Sequence, residues 1–396
     1  MHYAVPRILS QSGMLEHFYT DICATKSWPR LLHVIPNSVR PQGVQSLLSR
    51  KPIGVPAKHT TAFTRLGWTR VRNRSKCKTP ADESRLHLAS NKEFGRLVVD
   101  AGFFGADTTF TYNTASLEIM QAAKQQGLTT FMEQTIAPMT IERRLLADES
   151  KRHPDWPYSD TADAYDELIA REYAEWEIAD HVLCGSEFVK QGIADLGGPA
   201  EKCIVVPYGV DTQRPPEKKI SHDGPLRILT VGALGLRKGT PYVLEAADTL
   251  KGTAVFKLVG PAEGLPTGRE FPSNVEICGA VPRSQVTDFY RWADVLLLPS
   301  ICEGSATVIY ESLAAGLPVI CTHNAGSVVK DGVDGFLIAA TESSAIVTAV
   351  MRLASECELL KNLSLNAAEK AKNYSMRRYG ERLVKVMKLK MRMPSV

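Results

Sequence analysis

Long apolar runs are missing from this 396-residue chain: no stretch of about 18 apolar residues reads as a transmembrane helix. The start, Met1-His2-Tyr3-Ala4-Val5-Pro6-Arg7, lacks the charged-then-apolar order of a secretion signal, so the chain is expected to be cytoplasmic. A strong charge of either sign is missing too. The 47 Lys and Arg against 43 Asp and Glu leave +4, too little for a dedicated nucleic-acid binder. The eight cysteines (Cys23, Cys77, Cys184, Cys203, Cys278, Cys302, Cys321 and Cys357) form no C-x-x-C pair. Cys184 and Cys321 close apolar, strand-like runs, where cysteine behaves as a small hydrophobe, and all eight read as free thiols. The nine histidines show no metal-ligand spacing, so no metal is expected. No G-x-G-x-x-G follows an early strand, which argues against a dehydrogenase.

The length exceeds one ordinary domain of about 150 residues, and 44% hydrophobic with 23% charged residues is globular. In the second half, short apolar runs end at Gly or Pro and alternate with helical patterns. Leu226–Val231 stops at Gly232, and Thr240-Pro241 opens a helix through Leu250 with Thr240 as its N-cap. Val255–Val259, Asn274–Cys278, Asp294–Leu298 and Leu317–Cys321 read as strands. Ser284–Trp292 and Ala306–Ala315 read as helices, the latter ended by Gly316. The first half repeats the alternation. Val98-Val99, Thr108–Tyr112, Leu128–Met132, Asp180–Cys184 and Cys203–Val206 read as strands or β-prone runs. Ser116–Gln126, Ile141–Ser150 and Ala162–Ile178 read as helices. Such alternation predicts βαβ units and mostly parallel sheets.

Pro215-Pro216-Glu217-Lys218-Lys219 reads as a linker. The expected organisation is two doubly wound, Rossmann-like domains, residues 1–206 and 207–375, with a last helical segment 376–396. The basic run from Arg65 to Lys78, with Trp68 inside it, reads as a solvated loop or helix face; the sharper reading is a patch for anionic lipid headgroups.

The most informative stretch is Pro299 to Pro318. A buried strand ends at Pro299, and the small residues Gly304-Ser305-Ala306 lead straight into a helix. Ligands of open α/β sheets sit at the carboxyl ends of strands, and helix N-terminal amides favour phosphate. Glu311 lies one turn beyond Thr307 on the same helix face, and Glu303 sits in the loop on the other side of the phosphate seat. A carboxylate on each side of an anion site suits a central diphosphate with a polyol at each end, the chemistry of a nucleotide sugar. The second element is Val231 to Gly239, a strand-to-helix loop with Gly232 at its start and the adjacent cations Arg237 and Lys238 to neutralise a diphosphate.

These residues together resemble a family. Glu303-x7-Glu311, Gly316-Leu317-Pro318 and Arg237-Lys238-Gly239 are similar to the retaining glycosyltransferases of family 4, which have the GT-B fold. Pro207-Tyr208-Gly209-Val210-Asp211, Asp331 to Leu337, and Ala179-Asp180 through Phe188 resemble further family segments. The resemblance implies two domains facing across a cleft, with a final helix returning to the first. It implies that Glu311 holds the nucleotide ribose and Glu303 faces the donor sugar. Gly232 and the amides of Ser305, Ala306 and Thr307 line the donor, and Lys238 and Arg237 serve the diphosphate. The donor is then a nucleotide-diphosphate sugar, with no cofactor and no metal. The acceptor is a glycan or lipid-linked hydroxyl, in polysaccharide or cell-envelope glycoconjugate synthesis, with peripheral contact to an anionic membrane and none to nucleic acid.

The chain departs from the family at three places. Ala233 stands where the family usually has Arg; Glu133 or Gln134 stands where many members have a His; and the chain enters a helical pattern at once, so the first strand is expected to be absent. Two other readings stay open: a nucleotide-sugar epimerase or phosphorylase on the same architecture, and an inactive or truncated relative that binds a nucleotide sugar or a protein partner.

Overall fold

The structure, a computed structural model, describes residues 3–36, 39–159, 162–211 and 224–391; the expected linker at 215–219 lies outside them. The chain opens on helix α1 (Ala4–Gln11), followed by strand β1 (Phe18–Thr20) and helix α2 (Gln42–Ser49). Strand β2 (Thr60–Ala62) precedes helices α3 (Thr64–Arg74) and α4 (Pro80–Ala101). A regular alternation follows: β3 (Thr108–Tyr112), α5 (Leu117–Gln125), β4 (Thr129–Gln134), α6 (Met139–Arg152), α7 (Ala162–Ile178), β5 (His181–Cys184), α8 (Glu187–Asp195) and β6 (Cys203–Val205).

The second half runs β7 (Leu226–Val231), α9 (Thr240–Thr249), β8 (Ala254–Val259), β9 (Val275–Gly279) and α10 (Arg283–Trp292). It continues β10 (Val295–Leu298), α11 (Thr307–Ala314), β11 (Val319–Thr322), β12 (Gly335–Ile338), α12 (Ser343–Ser355), α13 (Cys357–Ala371) and α14 (Met376–Lys390).

Two parallel sheets carry the fold. The first has the order β3-β4-β5-β6 and the second β12-β11-β10-β7-β8-β9; β1 and β2 form a separate parallel pair. All four residues of β10 and of β11 are buried, as expected for parallel strands covered on both faces. Helices α1 and α14 cover one face of the first sheet, with Ile8, Leu9, Tyr379 and Leu383 against Phe131 and Leu183. Met120, Trp176, Val189 and Ile193 cover the other. The two segments that join the halves lie side by side: Val210 N–H donates to Tyr374 C=O at 3.0 Å and Met376 N–H to Val210 C=O at 2.9 Å. No helix among the described residues is long and apolar enough to cross a membrane.

Several sequence expectations need correction. Val98-Val99 is not a strand but the last turns of α4. The Thr79/Asp82 capping box and Pro80 start that helix, and it buries Leu88, Gly95 and Val98 at helical spacing. The basic run from Arg65 is helical through Arg74. The N-cap of α9 is Gly239, not Thr240; Thr240 instead turns its hydroxyl back to accept the Gly235 N–H at 2.9 Å. No described strand precedes α1, and the first strand in the chain, β1, pairs only with β2.

Two helices of the first half start without a cap of their own. α5 begins after Ser116 and α6 after Pro138, and neither residue supplies a side-chain cap. Helix α7 supplies both from outside. Glu175 accepts from the amides of Thr114, Ser116 and Leu117 at 2.6, 2.9 and 3.1 Å. Glu172 accepts from Met139 N–H at 2.9 Å and from Gln134 Nε2 at 2.6 Å. Both are fully buried, so these bonds satisfy helix-end donors that water cannot reach. Glu175→Ala leaves three such donors unpaired at about 1–3 kcal/mol each, and the first urea transition should lose about 3 kcal/mol or more. Glu175→Gln should recover part of it, and exposed Glu177→Ala should change nothing. Equal midpoints for wild type and Glu175→Ala would refute this capping role.

Candidate active site

The site forms where the loops after β7 and β10 meet. Lys238 is a buried lysine, 7% exposed, and its aliphatic stem lies over Gly232. A Cβ at Gly232 would sit 2.6 Å from Lys238 Cε, so only glycine allows the side chain to fold there. The Lys238 Nζ then pairs with Glu303 Oε1 at 2.6 Å, and the Arg237 guanidinium pairs with the same oxygen at 2.8 Å. Burial pushes the Lys238 ammonium below its usual range while Glu303 pulls it back. Arg237 also ties the loops through its backbone: its C=O accepts the Ile301 N–H at 2.9 Å, and its side chain donates to Cys302 C=O at 3.3 Å.

From Glu303 the chain turns through Gly304 and Ser305 into α11. The Ala306 N–H donates to Ala325 C=O at 3.2 Å, so that amide is engaged within the protein. Ser305 Oγ bonds the Tyr310 hydroxyl at 2.7 Å. Glu311 lies one turn beyond Thr307. Its two oxygens are held from α10, by Arg283 at 3.1 Å and by the Tyr290 hydroxyl at 2.9 Å.

The first domain closes on this loop. A Cβ at Gly304 would meet the Thr135 carbonyl and sit 2.7 Å from Ile136 Cα, so the segment after β4 is in backbone contact with the loop. Ser186 donates its hydroxyl to Gly304 C=O. Glu142 in the first turn of α6 reaches Arg237 at 4.0 Å, placing a first-domain acid against the second-domain cations. Burial pushes the Glu142 carboxyl above its ordinary range, with Arg237 opposing.

Glu133, next to last in β4, is 4% exposed. Its Oε1 accepts the Tyr208 hydroxyl at 2.6 Å, and its buried Oε2 has no partner among the described residues. Burial pushes this carboxyl up to about 7, with Tyr208 opposing. Neighbouring Gln134 is spent on Glu172, Ile136 and Trp176.

The structure therefore brings Gly232, Arg237, Lys238 and Glu303 into one cluster, with Ser305, Ala306 and Thr307 on the continuing chain. It sets Glu311 to one side, in the grip of α10. Glu133 touches none of them directly; it stands behind Tyr208, whose ring meets Gly185 where Ser305 also arrives. Glu142, Arg283 and Tyr290 were not singled out in the sequence, and Ser186 and Tyr208 were named only within family-like segments, with no role. Each is recruited by a partner far along the chain, which no local spacing marks.

Residues 225–356 match the family model of glycosyl transferases group 1. The chain is 27% identical over 232 residues to the amylovoran biosynthesis glycosyltransferase AmsK of Erwinia amylovora, covering 54% of this chain and 52% of that protein. It is 28% identical over 197 residues to the putative colanic acid biosynthesis glycosyltransferase WcaL of Salmonella typhimurium, covering 45% and 48%. The chain thus spans about half the length of the curated relatives it matches. Among solved structures, Anabaena HepE in complex with UDP and glucose superposes with a TM-score of 0.60 over 95% of this chain and all of that one, at 14% identity. The fold is GT-B, two Rossmann-like domains with parallel sheets.

Glu133 generates a pH prediction. Its folded pKa lies above the unfolded value, so the neutral form favours the fold. That contribution is complete below about pH 4.5 and is lost as pH rises through about 7. Replacing Glu133 with Gln, which stays neutral, should raise stability at pH 8 by about 2–3 kcal/mol and leave it nearly unchanged at pH 4.5. Urea melts at the two pH values measure this; a variant that loses stability equally at both would refute it.

Proposed function

We propose that this protein is a glycosyltransferase that moves a hexose, with retention, from a nucleoside-diphosphate sugar to a hydroxyl of a glycan or lipid-linked acceptor, in polysaccharide or cell-envelope glycoconjugate synthesis. The observation that carries the reading is the pairing of Lys238 and Arg237 on one oxygen of Glu303, at the turn that feeds α11. Two cations converge where a helix N-terminus begins, and a diphosphate is the ligand that uses both. AmsK and WcaL, named for amylovoran and colanic acid biosynthesis, support the process, and HepE holds UDP and glucose on the same fold.

In this reading the diphosphate lies across the Lys238–Arg237 pair and the Ser305–Thr307 segment, and Glu311 receives the ribose hydroxyls. Glu303 faces the sugar. The leaving diphosphate gains charge as the glycosidic bond breaks, and the fixed cations stabilise that charge without reorganising. Transfer proceeds on the face the diphosphate leaves, where the diphosphate takes the acceptor's proton. The protein positions both substrates and excludes water. A second reading, a relative that binds the nucleotide sugar without transferring it, is favoured by Ala233, which leaves the family's usual arginine position without a cation.

A thermal-shift panel of UDP-, GDP- and ADP-sugars on wild type and Glu311→Ala tests the donor site. A ligand at 100 times its Kd stabilises by about 2.7 kcal/mol. One nucleotide class should raise the melting temperature of wild type, and Glu311→Ala should lose most of that rise. No response to any class would overturn the donor site. Binding without sugar transfer or donor hydrolysis would select the second reading.

Acceptor access from a membrane has its own support. Between Ile22 and Ala81 there are twelve Lys and Arg and no Asp or Glu. The exposed Trp28 and Trp68 rings stand edge to face at 5.3 Å on this surface, with Val71 exposed one turn beyond Trp68. Cations beside exposed indoles suit an anionic lipid interface. The protein should sediment with phosphatidylglycerol vesicles at low salt, be released at about 0.5 M salt, and bind weakly after Trp68→Ala with Arg72→Ala. Indifference to vesicle charge would count against it.

A further inference from the structure

The cations of the site are shared between the domains. Arg237 stands between two carboxylates, Glu303 of the second domain at 2.8 Å and Glu142 of the first at 4.0 Å. Lys238 pairs with Glu303 at 2.6 Å. Two cations therefore face two anions, and the cluster is neutral as it stands. Among the described residues no third cation pairs with either carboxylate, and Ala233 supplies none. A diphosphate brings further negative charge into largely buried surroundings, where unpaired charge is expensive. The balance is restored when one of the two carboxylates loses its charge.

Glu142 is the carboxylate placed to do so. Its contact with Arg237 is the longest of the three ion pairs, and its other oxygen accepts the Tyr165 hydroxyl of α7 at 3.2 Å. The Cys302 thiol faces it from the loop after β10, and Glu303 acts on it from beyond Arg237. Burial pushes the Tyr165 hydroxyl and the Cys302 thiol above their ordinary ranges, so both are neutral neighbours. On the same helix Arg143 turns to Asp166 of α7. Arg237 is thus the cation that keeps Glu142 ionised, against burial and the negative charge of Glu303. Once a diphosphate engages Arg237, Glu142 loses that support and stays enclosed. A buried carboxylate without a cation neutralises by taking a proton.

We propose that Glu142 balances the charge of the donor site: as the donor's diphosphate takes Arg237, the Glu142 carboxylate takes one proton from solvent. The inference rests on the donor reading given under the proposed function. The O–H on Glu142 is the only covalent bond formed, and the proton returns to solvent when the diphosphate leaves. The sign follows from linkage. Donor binding raises the proton affinity of Glu142, so protons favour the donor, and donor affinity falls as pH rises through the range where free Glu142 ionises. Glu142 belongs to the first domain, so the exchange also replaces an ion pair between the domains with a neutral contact.

Titration calorimetry of the full chain with UDP-glucose counts the protons, in paired buffers of unlike ionisation enthalpy with EDTA present. GDP-glucose and ADP-glucose are run alongside. The phosphates of these probes carry no proton that titrates near neutrality, so a proton taken up goes to the protein. Wild type should take up roughly half a proton or more per donor near pH 8, and bind roughly fivefold more weakly at about pH 8.5 than at about pH 6. Glu142→Gln should lose that uptake, hold one affinity across the range, and bind more tightly than wild type at its upper end. Tyr165→Phe removes a hydrogen bond that favours ionised Glu142, and should move the fall in affinity to higher pH. An equal proton count in wild type and Glu142→Gln would overturn the proposal and leave the donor site standing. So would binding that appears only when Mg2+ replaces EDTA. No binding of any of the three probes to wild type, with or without Mg2+, would overturn the donor site itself and the proposal with it.

Discussion

One carboxylate sets the geometry of the candidate site. Glu303 holds Lys238 and Arg237 on a single oxygen, and the three groups are largely buried. Removing such charges from water is expensive, and a buried ion pair earns little net stability unless its geometry is good and its remaining hydrogen bonds are made. Here the surroundings are arranged around it. Gly232 gives up its side chain so that the Lys238 stem fits. The Arg237 backbone is bonded to Ile301, two residues before Glu303. Glu142 approaches Arg237 from the other domain. Replacing such charges with apolar groups of equal size is often neutral or stabilising, so stability alone does not account for the cluster.

That arrangement also couples the site to the relation between the domains. Gly304 meets Thr135 and Ile136, and Ser186 reaches the Gly304 carbonyl. The loop carrying Glu303 therefore holds the two cations and forms a wall of the domain interface at once. Any ligand that displaces Glu303 from its two cations changes both roles together. Coupling of this kind needs no long-range pathway, because the same few backbone atoms take part in both contacts.

The second domain was legible because its chemistry is local. A buried strand, a glycine, a short loop and a helix follow one another in the sequence, and parallel strands covered on both faces leave unmistakable apolar runs. Glu303, Lys238 and Gly232 could be named for that reason. The first domain hides more. Val98-Val99 looks like a strand because two adjacent β-branched residues outweigh a helical period that is visible only across all of α4. The caps of α5 and α6 come from Glu175 and Glu172, more than thirty residues further along the chain than the helix ends they serve. Arg283 and Tyr290 matter only because α10 lies beside Glu311. Partners assembled by tertiary structure carry no spacing for a reader of the sequence to find.

Four glutamates of the first domain are buried among the described residues, and they differ in whether the carboxylate's oxygens are used: Glu149 spends its two on Arg152 and Tyr242. Glu172 and Glu175 spend theirs on helix ends and on Gln134, although burial still pushes both carboxyls up to about 7. Glu133 spends one oxygen on Tyr208 and leaves the other bare. An uncompensated buried acid costs stability, and a merely structural position would be served better by Gln, which is neutral and of the same size. Glu133 also lies next to last in the strand whose following residues, Thr135 and Ile136, touch the Glu303 loop, and the partner of its carboxylate among the described residues, Tyr208, packs where Gly185 and Ser305 meet. The acid therefore stands one hydrogen bond from the contact between the two domains.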